Sequence, residues 1–510
     1  MNIKRFEDGL IKLGAKWETE IPETQRLVDD TREIRKGDIY VLRQGAQPLT
    51  QSQAESLMKQ AEQSGVSAII LDPAFKNIDV SCVKIFLPNP HLHLGELAEA
   101  FYGNPSTQMK MVAVTGTNGK TTTTYLIESL AKTMGLKVGV LGTISYRYPG
   151  YEESSVNTTP GTLKLYRLLS EMQHAGCELV AMEVSSHGIV QGRIDGVYFD
   201  AAIWNNLGTD HLDFHLTRES YALAKQRLYD HYLVESYRHH KQPVAIGNMD
   251  DGEVMHHILS ANPESWGGKF QTFSGIGNQN ADIFIRDIEW QNGCYGFEIV
   301  EKNTQKCVRT KLPLIGPYNL YNCAGAVAAL VSLGYSLEKL GEFLPQIAQI
   351  PGRMECINVT HPTVIVDFAH TPEALEKALD AARSCVSDHG KLVVVFGAGG
   401  DRDPGKRPMM GAAAFKKADK IYVTSDNPRT EDPEKIINQI MAGIMNKDRV
   451  LAICDRKTAI EQALRDSDDD DLVLIAGKGH EDYQILGTQK VHFDDREVVR
   501  NYLHKCGVSV

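Results

Sequence analysis

The sequence predicts three consecutive α/β domains, and two observations carry that expectation. Apolar runs of strand length alternate with helix-period segments along the chain. Two breaks, GNPSTQMK from Gly103 and PGRME at Pro351–Glu355, divide it into 1–104, 105–350 and 351–510. Strands alternating with helices imply parallel sheets, and ligands then sit beyond the carboxyl ends of the strands.

Length and composition agree. At 510 residues the chain is too long for one hydrophobic core. A hydrophobic fraction of 42% and a charged fraction of 23% are ordinary for a globular protein. The net charge of −11 argues against a nucleic-acid-binding surface as the main purpose. Nine cysteines lie scattered, Cys82, Cys177 and Cys294 among them, without metal or disulfide spacing, as a reducing compartment permits. MNIKRFEDGLIKLGAKW has no apolar core and is not a signal peptide, and no apolar run reaches membrane-spanning length. A cytoplasmic protein is expected.

In the first block, GDIYVLRQG, VSAIILD and VKIFLP read as strands, while QSQAESLMKQAEQSG and HLHLGELAEAFYG read as helices. The second block carries the strands KVGVLGTISY, ELVAMEVSS and DAAIWNNLG and ends in the apolar helix YNCAGAVAALVSLGY. In the third, TVIVDFAH, KLVVVFGAGG, KIYVTSD and DLVLIAGKG are strands, with helices from Pro372 and at PEKIINQIMAGIM. There is no internal repeat and no low-complexity segment.

The second block opens on MKMVAVTGTNGKTTTTYLIESLAKTMG, Met109–Gly135. An apolar strand ends at Val114, a glycine turn follows, and Leu126, Ile127, Leu130, Ala131 and Met134 fall at helical spacing. Strand, tight turn and helix N-terminus form an anion site, with Lys120 as a point charge and Thr121 as a hydroxyl for magnesium. Only two residues separate Gly116 from Gly119, where the usual P-loop has four. Later strands end in Glu183, within MEVSSH, and in His211 and Asp213, within TDHLDFH. A carboxylate and an imidazole beside a phosphate loop can complete magnesium coordination, although each alone reads equally well as an ion-pair partner or a cap.

TGTNGKTT, NTTP at Asn157–Pro160, MEVSSH at Met182–His187 and DHLD at Asp210–Asp213 resemble motifs of the Mur ligase family, which builds the peptide of bacterial cell-wall precursors. QGR at Gln191–Arg193, GPYNLYN at Gly316–Asn322, GRME at Gly352–Glu355, DFAHTP at Asp367–Pro372, GDRDPGKRP at Gly400–Pro408, DNPR at Asp426–Arg429 and GKGHED at Gly477–Asp482 extend the match in family order. The resemblance runs from about residue 105 to the C-terminus. It implies an N-terminal UDP-binding domain, a central P-loop ATPase-like domain and a C-terminal Rossmann-like domain. It is closest to the members that use ATP to add meso-2,6-diaminopimelate to UDP-N-acetylmuramoyl-L-alanyl-D-glutamate through an acyl phosphate.

The implied roles follow residue by residue. Gly116, Thr117, Asn118, Gly119, Lys120, Thr121 and Thr122 would hold the ATP phosphates, Asn319 and Asn322 the adenine, and Arg353 and Asp367 the rest of the nucleotide. Magnesium would be held by Thr121, Glu183 and His211, and by Lys225 once its amine has become a carbamate. Lys120, Glu183, His211 and Lys225 form the implied catalytic set. Asp29, Thr31, Ala46, Gln47, Pro48, Asn157, Thr158, Thr159, Ser185, Gln191 and Arg193 would bind the UDP-linked dipeptide. Arg402, Asp426, Asn427, Pro428, Arg429, Gly477 and Glu481 would bind diaminopimelate, with the Arg429 fork on its distal carboxylate and Glu481 on its distal ammonium.

The N-terminal block departs most from the family: Asp30-Thr31-Arg32 replaces Asp-Ser-Arg, and no Asp-Gly follows Pro48. The alternatives are the lysine-adding version of the enzyme, disfavoured by Arg429, and a folylpolyglutamate-synthase-like amide ligase, disfavoured by DNPR and the separate N-terminal block. A nucleotide-dependent switch would not need Lys225. The expected partners are small molecules and magnesium, with no nucleic acid, no membrane insertion and a monomeric state.

Overall fold

The computed structural model describes residues 2–24, 26–44, 47–291, 293–358 and 362–507; Ala46, expected in the uridine loop, lies outside them. The chain packs as two compact units, one running through Phe273 and including Gly325–Tyr335, the other holding Ser274–Ala324 and Ser336 onward.

In the first unit, β1 (Leu27–Val28), β2 (Ile39–Val41), β3 (Ala68–Leu71) and β4 (Val83–Phe86) form a small parallel sheet in sequence order. The helix Gln51–Gln63 starts on a capping box, the Thr50 hydroxyl and the Gln53 side chain each satisfying the other's backbone amide. It covers one face of the sheet through Ala54, Met58 and Ala61. The helices Ile3–Lys12 and Leu94–Tyr102 cover the other, and Phe6 meets Phe101 edge to face with centroids 5.1 Å apart. GNPSTQMK is a packed turn and not an open linker. Its buried Ser106 accepts the Tyr198 amide at 3.1 Å and donates to Asn104 Oδ1 at 2.6 Å.

The same unit carries a larger sheet of β5 (Lys110–Thr115), β6 (Val138–Leu141), β7 (Ser145–Tyr148), β8 (Tyr151–Ser154), β9 (Leu179–Glu183), β10 (Ala201–Trp204), β11 (Val244–Asn248) and β12 (Lys269–Ser274). Their spatial order is β12-β11-β10-β5-β9-β6-β7-β8. The pairs from β11 to β6 are parallel, and β7 and β8 are antiparallel additions at the edge. KVGVLGTISY is therefore two strands with a reversal at Gly142. Residues Met111 to Thr115 of β5 are all buried, as a strand covered on both faces requires. The chain leaves β5 toward β9 and β6 and later crosses to β10 on its other side. This reversal opens a crevice at the carboxyl ends of β9, β5 and β10.

The second unit contains an antiparallel ribbon of β13 (Ile283–Gln291), β14 (Cys294–Glu301) and β15 (Lys306–Leu312), absent from the sequence expectation. Its α/β sheet comprises β16 (Glu355–Asn358), β17 (Thr363–Asp367), β18 (Leu392–Phe396), β19 (Lys420–Val423), β20 (Val450–Ala452) and β21 (Leu472–Ala476), in the order β16-β17-β21-β18-β19-β20. Only β16 is antiparallel. Apolar clusters cover both faces, and a hairpin of β22 (Tyr483–Leu486) and β23 (Gln489–His492) follows.

One buried ion pair fixes the working end of that sheet. Arg456 and Asp495 are both 0% exposed in their side chains. Arg456 Nε and Nη2 meet the two Asp495 oxygens at 2.8 and 2.7 Å, while Nη2 also reaches Ala476 O at 3.0 Å and Nη1 reaches Ser425 O at 3.3 Å. The guanidinium thereby ties the end of β21 to the residues following β19. Replacing Asp495 by Ala leaves the arginine buried without its counter-charge. We expect this to destabilise the second unit by about 3–5 kcal/mol, read as a lowered denaturant midpoint of its unfolding transition.

Candidate active site

The phosphate loop leaves β5 at Thr115 and is pinned from three directions. Gly116 has φ +145°, and a Cβ there would sit 3.1 Å from that of Asn205 and 3.3 Å from the Asn206 amide, so glycine alone suits this approach. Asn206 grips the next residues: Thr117 N donates to its carbonyl at 3.1 Å, Asn118 N to its Oδ1 at 2.9 Å, and its Nδ2 returns to Asn118 O at 3.1 Å. The Thr117 hydroxyl accepts from Gly208 N at 2.8 Å and from the Tyr221 hydroxyl at 3.2 Å. Gly119, at φ +85°, turns the chain into the helix Lys120–Thr133. The first turn of that helix, with its positive end, lies where the sequence expectation puts an anion site.

Two lysines meet at this loop. Lys120 Nζ donates to Gly116 O at 2.8 Å and to Thr117 O at 3.0 Å, and Lys225 Nζ donates to the same Gly116 oxygen at 3.0 Å. By its pattern Lys225 reads as a solvated helical charge, yet it is 1% exposed. It lies 4.6 Å over the Tyr221 ring, and its helix, Arg218–Arg227, passes into a π turn at Leu228–Tyr232. Burial, reinforced by the positive charge of Lys120, holds its amine well below the usual lysine range.

Glu183 ends β9, paired with Val114 of β5, and is 1% exposed. Thr143 holds both of its oxygens, through its amide and its hydroxyl, each at 2.9 Å. Gly142 makes room for this carboxylate, since a Cβ there would run into Glu183 Oε1. His211 has φ +53° and caps the short helix Leu212–His215. Its ring lies edge-on to His187 at 4.7 Å, and His187 stacks on Phe214 at 4.2 Å. Burial lowers the pKa of His211, opposed by Asp210 and helped by Lys120 and Lys225, which favours the neutral imidazole a metal would require.

Among the described residues no three His, Cys, Asp or Glu side chains cluster at metal-binding spacing. The donor set nevertheless fits magnesium, which keeps several waters and takes one or two carboxylates together with phosphate oxygens. Thr121 is buried in the helix's first turn, and the Glu183 carboxylate is buried at the end of the strand paired with β5.

Thr159 joins the loop of Asn157 and Thr158 to the end of β9. Its hydroxyl donates to Glu183 O at 2.9 Å and lies 3.1 Å from Ser185 Oγ, while Thr158 Oγ1 is 3.1 Å from Thr143 Oγ1. Arg193 bonds Thr159 O at 2.8 Å and grips Gln191 Oε1 through Nε and Nη2 at 2.9 and 2.6 Å. Burial pulls the Arg193 guanidinium below its ordinary value, and the like charge of Arg43 adds to this. Arg43 also pairs with Asp29 at 3.1 Å, so residues of the small sheet come close to this group. Thr31 opens a short turn next to Asp29, and Gln47 and Pro48 are exposed.

In the second unit, Asn319 and Asn322 share one face of the helix Tyr318–Ser332, bonded to each other at 2.9 Å. Arg353 stacks 4.6 Å over Phe368, while Asp367 accepts the Met354 and Ala369 amides, each at 2.8 Å. Burial raises the Asp367 carboxyl, with Arg353 opposing. Asp426, Asn427 and Pro428 are buried beyond β19, and Asn427 Nδ2 donates to Glu481 Oε2 at 2.9 Å. Burial alone would raise the Asp426 carboxyl, but Lys478 and Arg456 outweigh it and hold it below the usual range. Arg429 is at φ +52°, half-buried, and donates to Gly400 O at 2.8 Å. Its backbone adds to the hairpin through Arg429 N to Ile485 O at 3.1 Å and Gly487 N to Arg429 O at 2.8 Å. Arg402 is exposed, with its Cγ 3.7 Å from the place a Gly399 Cβ would take, beside the Arg429 guanidinium. Sequence reasoning missed Thr143, Tyr221, Asn206, Lys478 and Arg456. Asn206 and Lys478 stand inside motifs already singled out, whereas the other three carry no local pattern.

Comparison with known proteins bears on the family and the fold. Residues 114–330 match the family model described as Mur ligase middle domain, and 352–479 match that described as Mur ligase, glutamate ligase domain. A UDP-N-acetylmuramoyl-L-alanyl-D-glutamate--2,6-diaminopimelate ligase of Synechococcus elongatus (strain ATCC 33912 / PCC 7942 / FACHB-805) is 41% identical over 93% of this chain and 93% of its own. A solved structure of a ligase with that name superposes with a TM-score of 0.64 at 32% identity, covering 96% of this chain and 98% of the other. The UDP-N-acetylmuramoylalanyl-D-glutamyl-2,6-diaminopimelate--D-alanyl-D-alanyl ligase of Acinetobacter baumannii shares the fold, with a TM-score of 0.67 at 20% identity over 94% and 95% of the two chains. Sequence and architecture thus agree over almost the whole length, and the chain belongs to the Mur ligase family.

Proposed function

We propose that this protein uses ATP to join meso-2,6-diaminopimelate to UDP-N-acetylmuramoyl-L-alanyl-D-glutamate, with ADP and phosphate as products. The observation that carries the reading is the convergence of Lys120, Lys225 and the short phosphate loop on Gly116 O, beside the buried Glu183. The 41% identity to a relative that bears this activity in its name supports the choice of substrates.

A carboxylate is a poor acylating agent, so ATP must supply a leaving group. The D-glutamyl carboxylate attacks the γ-phosphorus, ADP departs, and the amine of diaminopimelate then displaces phosphate from the acyl phosphate. Positioning and charge neutralisation dominate such phosphoryl transfer. The amides of Gly116–Thr122 and the Lys120 ammonium orient the phosphates in this scheme. Thr121, Glu183 and His211 would hold magnesium, which when bound neutralises charge on the phosphate oxygens. Asn319, Asn322, Arg353 and Asp367 take the nucleotide. Asp29, Thr31 and the Asn157–Thr159, Ser185 and Gln191–Arg193 group take the UDP-dipeptide. Asp426–Arg429, Arg402, Gly477 and Glu481 take the amino acid. In the division at 1–104, 105–350 and 351–510, the UDP-dipeptide draws on the first two parts, the nucleotide on the last two, and the amino acid on the third.

Lys225 acts as a carbamate. Its amine adds carbon dioxide, forming an N–C bond and releasing a proton, and the resulting carboxylate would hold a second magnesium ion. The burial that favours the neutral amine supports this step.

Three measurements test the scheme. With ATP and the UDP-dipeptide, phosphate release should depend on added diaminopimelate and respond far less to lysine; equal rates with both would overturn the assignment. Lys225→Ala should lose ligase activity and regain part of it with a small added carboxylate, and an unrescued variant at full rate rules the carbamate out. Arg429→Ala should raise the KM for diaminopimelate by about 10- to 100-fold, the worth of a hydrogen bond to a charged group, leaving the KM for ATP nearly unchanged. Equal effects on the two constants would contradict the role given to Arg429.

A further inference from the structure

Lys478 has no role in the scheme above, yet it is 0% exposed at the mouth of the second unit's sheet. It follows β21 between Gly477, at φ +119°, and Gly479, at φ +54°. This backbone presses the loop against Asp426, whose Oδ2 a Cβ at Gly477 would crowd. From there Lys478 Nζ donates to Asn427 Oδ1 at 3.1 Å and to Glu481 Oε2 at 3.2 Å. Asn427 Nδ2 reaches the same Glu481 oxygen at 2.9 Å, and the Ile485 amide fixes Asn427 Oδ1 at 3.0 Å. Glu481 Oε2 therefore accepts two donors, whereas Oε1 has the Tyr483 hydroxyl at 3.4 Å, and the side chain remains 17% exposed. One oxygen is anchored and the other is presented.

The formal charges point the same way. Desolvating an ammonium is expensive, and here the attraction of nearby carboxylates offsets it. The carboxylates of Asp426, Glu481 and Asp495 are set against the cations of Lys478 and Arg456. The Lys478 ammonium thus faces two carboxylates, Asp426 and Glu481, and is hydrogen-bonded to the second.

We propose that Lys478 is a positioning residue for the amino-acid substrate: it helps hold Glu481 by Oε2 so that Oε1 meets the distal ammonium. This rests on the reading given under Proposed function. Removing the cation takes away one of the two donors to Glu481 Oε2 and leaves Asp426, Glu481 and Asp495 with Arg456, so the loss should fall on the amino acid and not on the nucleotide.

The test uses the full-length protein with the UDP-dipeptide, ATP and diaminopimelate, comparing wild type, Lys478→Gln, Glu481→Gln and the double variant. Lys478→Gln should raise the KM for diaminopimelate on the order of 10-fold, with the KM for ATP within about twofold. The double variant should be no worse than Glu481→Gln alone, because Lys478 acts through Glu481. Independent, multiplying effects, or parallel increases in both KM values, mark a merely structural lysine and overturn the inference. If thermal melting shows Lys478→Gln unfolded, Glu481→Asp replaces it: the charge stays but Oε2 withdraws from Nζ, and an unchanged KM for diaminopimelate overturns the inference. A wild type whose phosphate release ignores diaminopimelate overturns the parent reading and this one with it. A responsive wild type alongside a Lys478→Gln of unaltered KM overturns this inference alone.

Discussion

The carbonyl oxygen of Gly116 is the point on which the first unit's chemistry depends. Two lysine side chains donate to it, one from the loop's own helix and one from a helix more than a hundred residues further on. Like charges so close, in a place largely closed to water, cannot both be carried cheaply. Lys225 is the more completely enclosed of the two, and burial, with the charge of Lys120, holds its amine well below the usual lysine range. The features around it follow from that constraint. Gly116 has no side chain because Asn205 and Asn206 approach too closely, Tyr221 lays its ring under the Lys225 amine, and Thr117 is tied to Tyr221 and Gly208. The charge of the site is set by packing before any ligand enters.

The second unit uses the opposite device. Arg456 is buried but fully paired, and its remaining hydrogen bonds go to backbone carbonyls at the ends of two strands. A guanidinium has enough donors in one plane to satisfy a carboxylate and still bridge the strands. Those strand ends carry Asp426 and Gly477, so the loops that would take the amino acid are aligned by a charge at their back. Arg407 repeats the motif nearby, gripping Glu431 with both terminal nitrogens at 2.8 Å and Gly399 O at 3.0 Å.

Much of this was legible in the sequence because it is local. The strand before the phosphate loop, its glycines and the helix after it are written within one short stretch, and the structure forms them there. Glu183 could be placed because an apolar run ends at it. Lys225 could be named only through a family resemblance, since its helix has a weak polar pattern and nothing nearby signals that a loop from elsewhere encloses it. Arg456 and Asp495 lie 39 positions apart and each opens a helix, so both read as ordinary surface charges. The ribbon β13–β15 was missed for another reason. Its first strand, β13, alternates buried and exposed residues irregularly, and a register shift between Arg286 and Glu289 breaks the period there. The turn-forming residues of GNPSTQMK predict a spacer; nothing in them reveals that Ser106 is buried against Tyr198.

The grip of Asn206 on Asn118 has a consequence of its own. A side-chain amide accepts from one peptide N–H and donates to the same residue's carbonyl, which is the exchange a neighbouring strand would make. The phosphate loop is in effect a continuation of the sheet, stitched to the end of β10 where the main chain has already turned away. Ordering a free loop costs roughly 1–2 kcal/mol per residue. In this fold that entropy is surrendered when the protein folds, and the loop keeps its shape through its own contacts with Asn206.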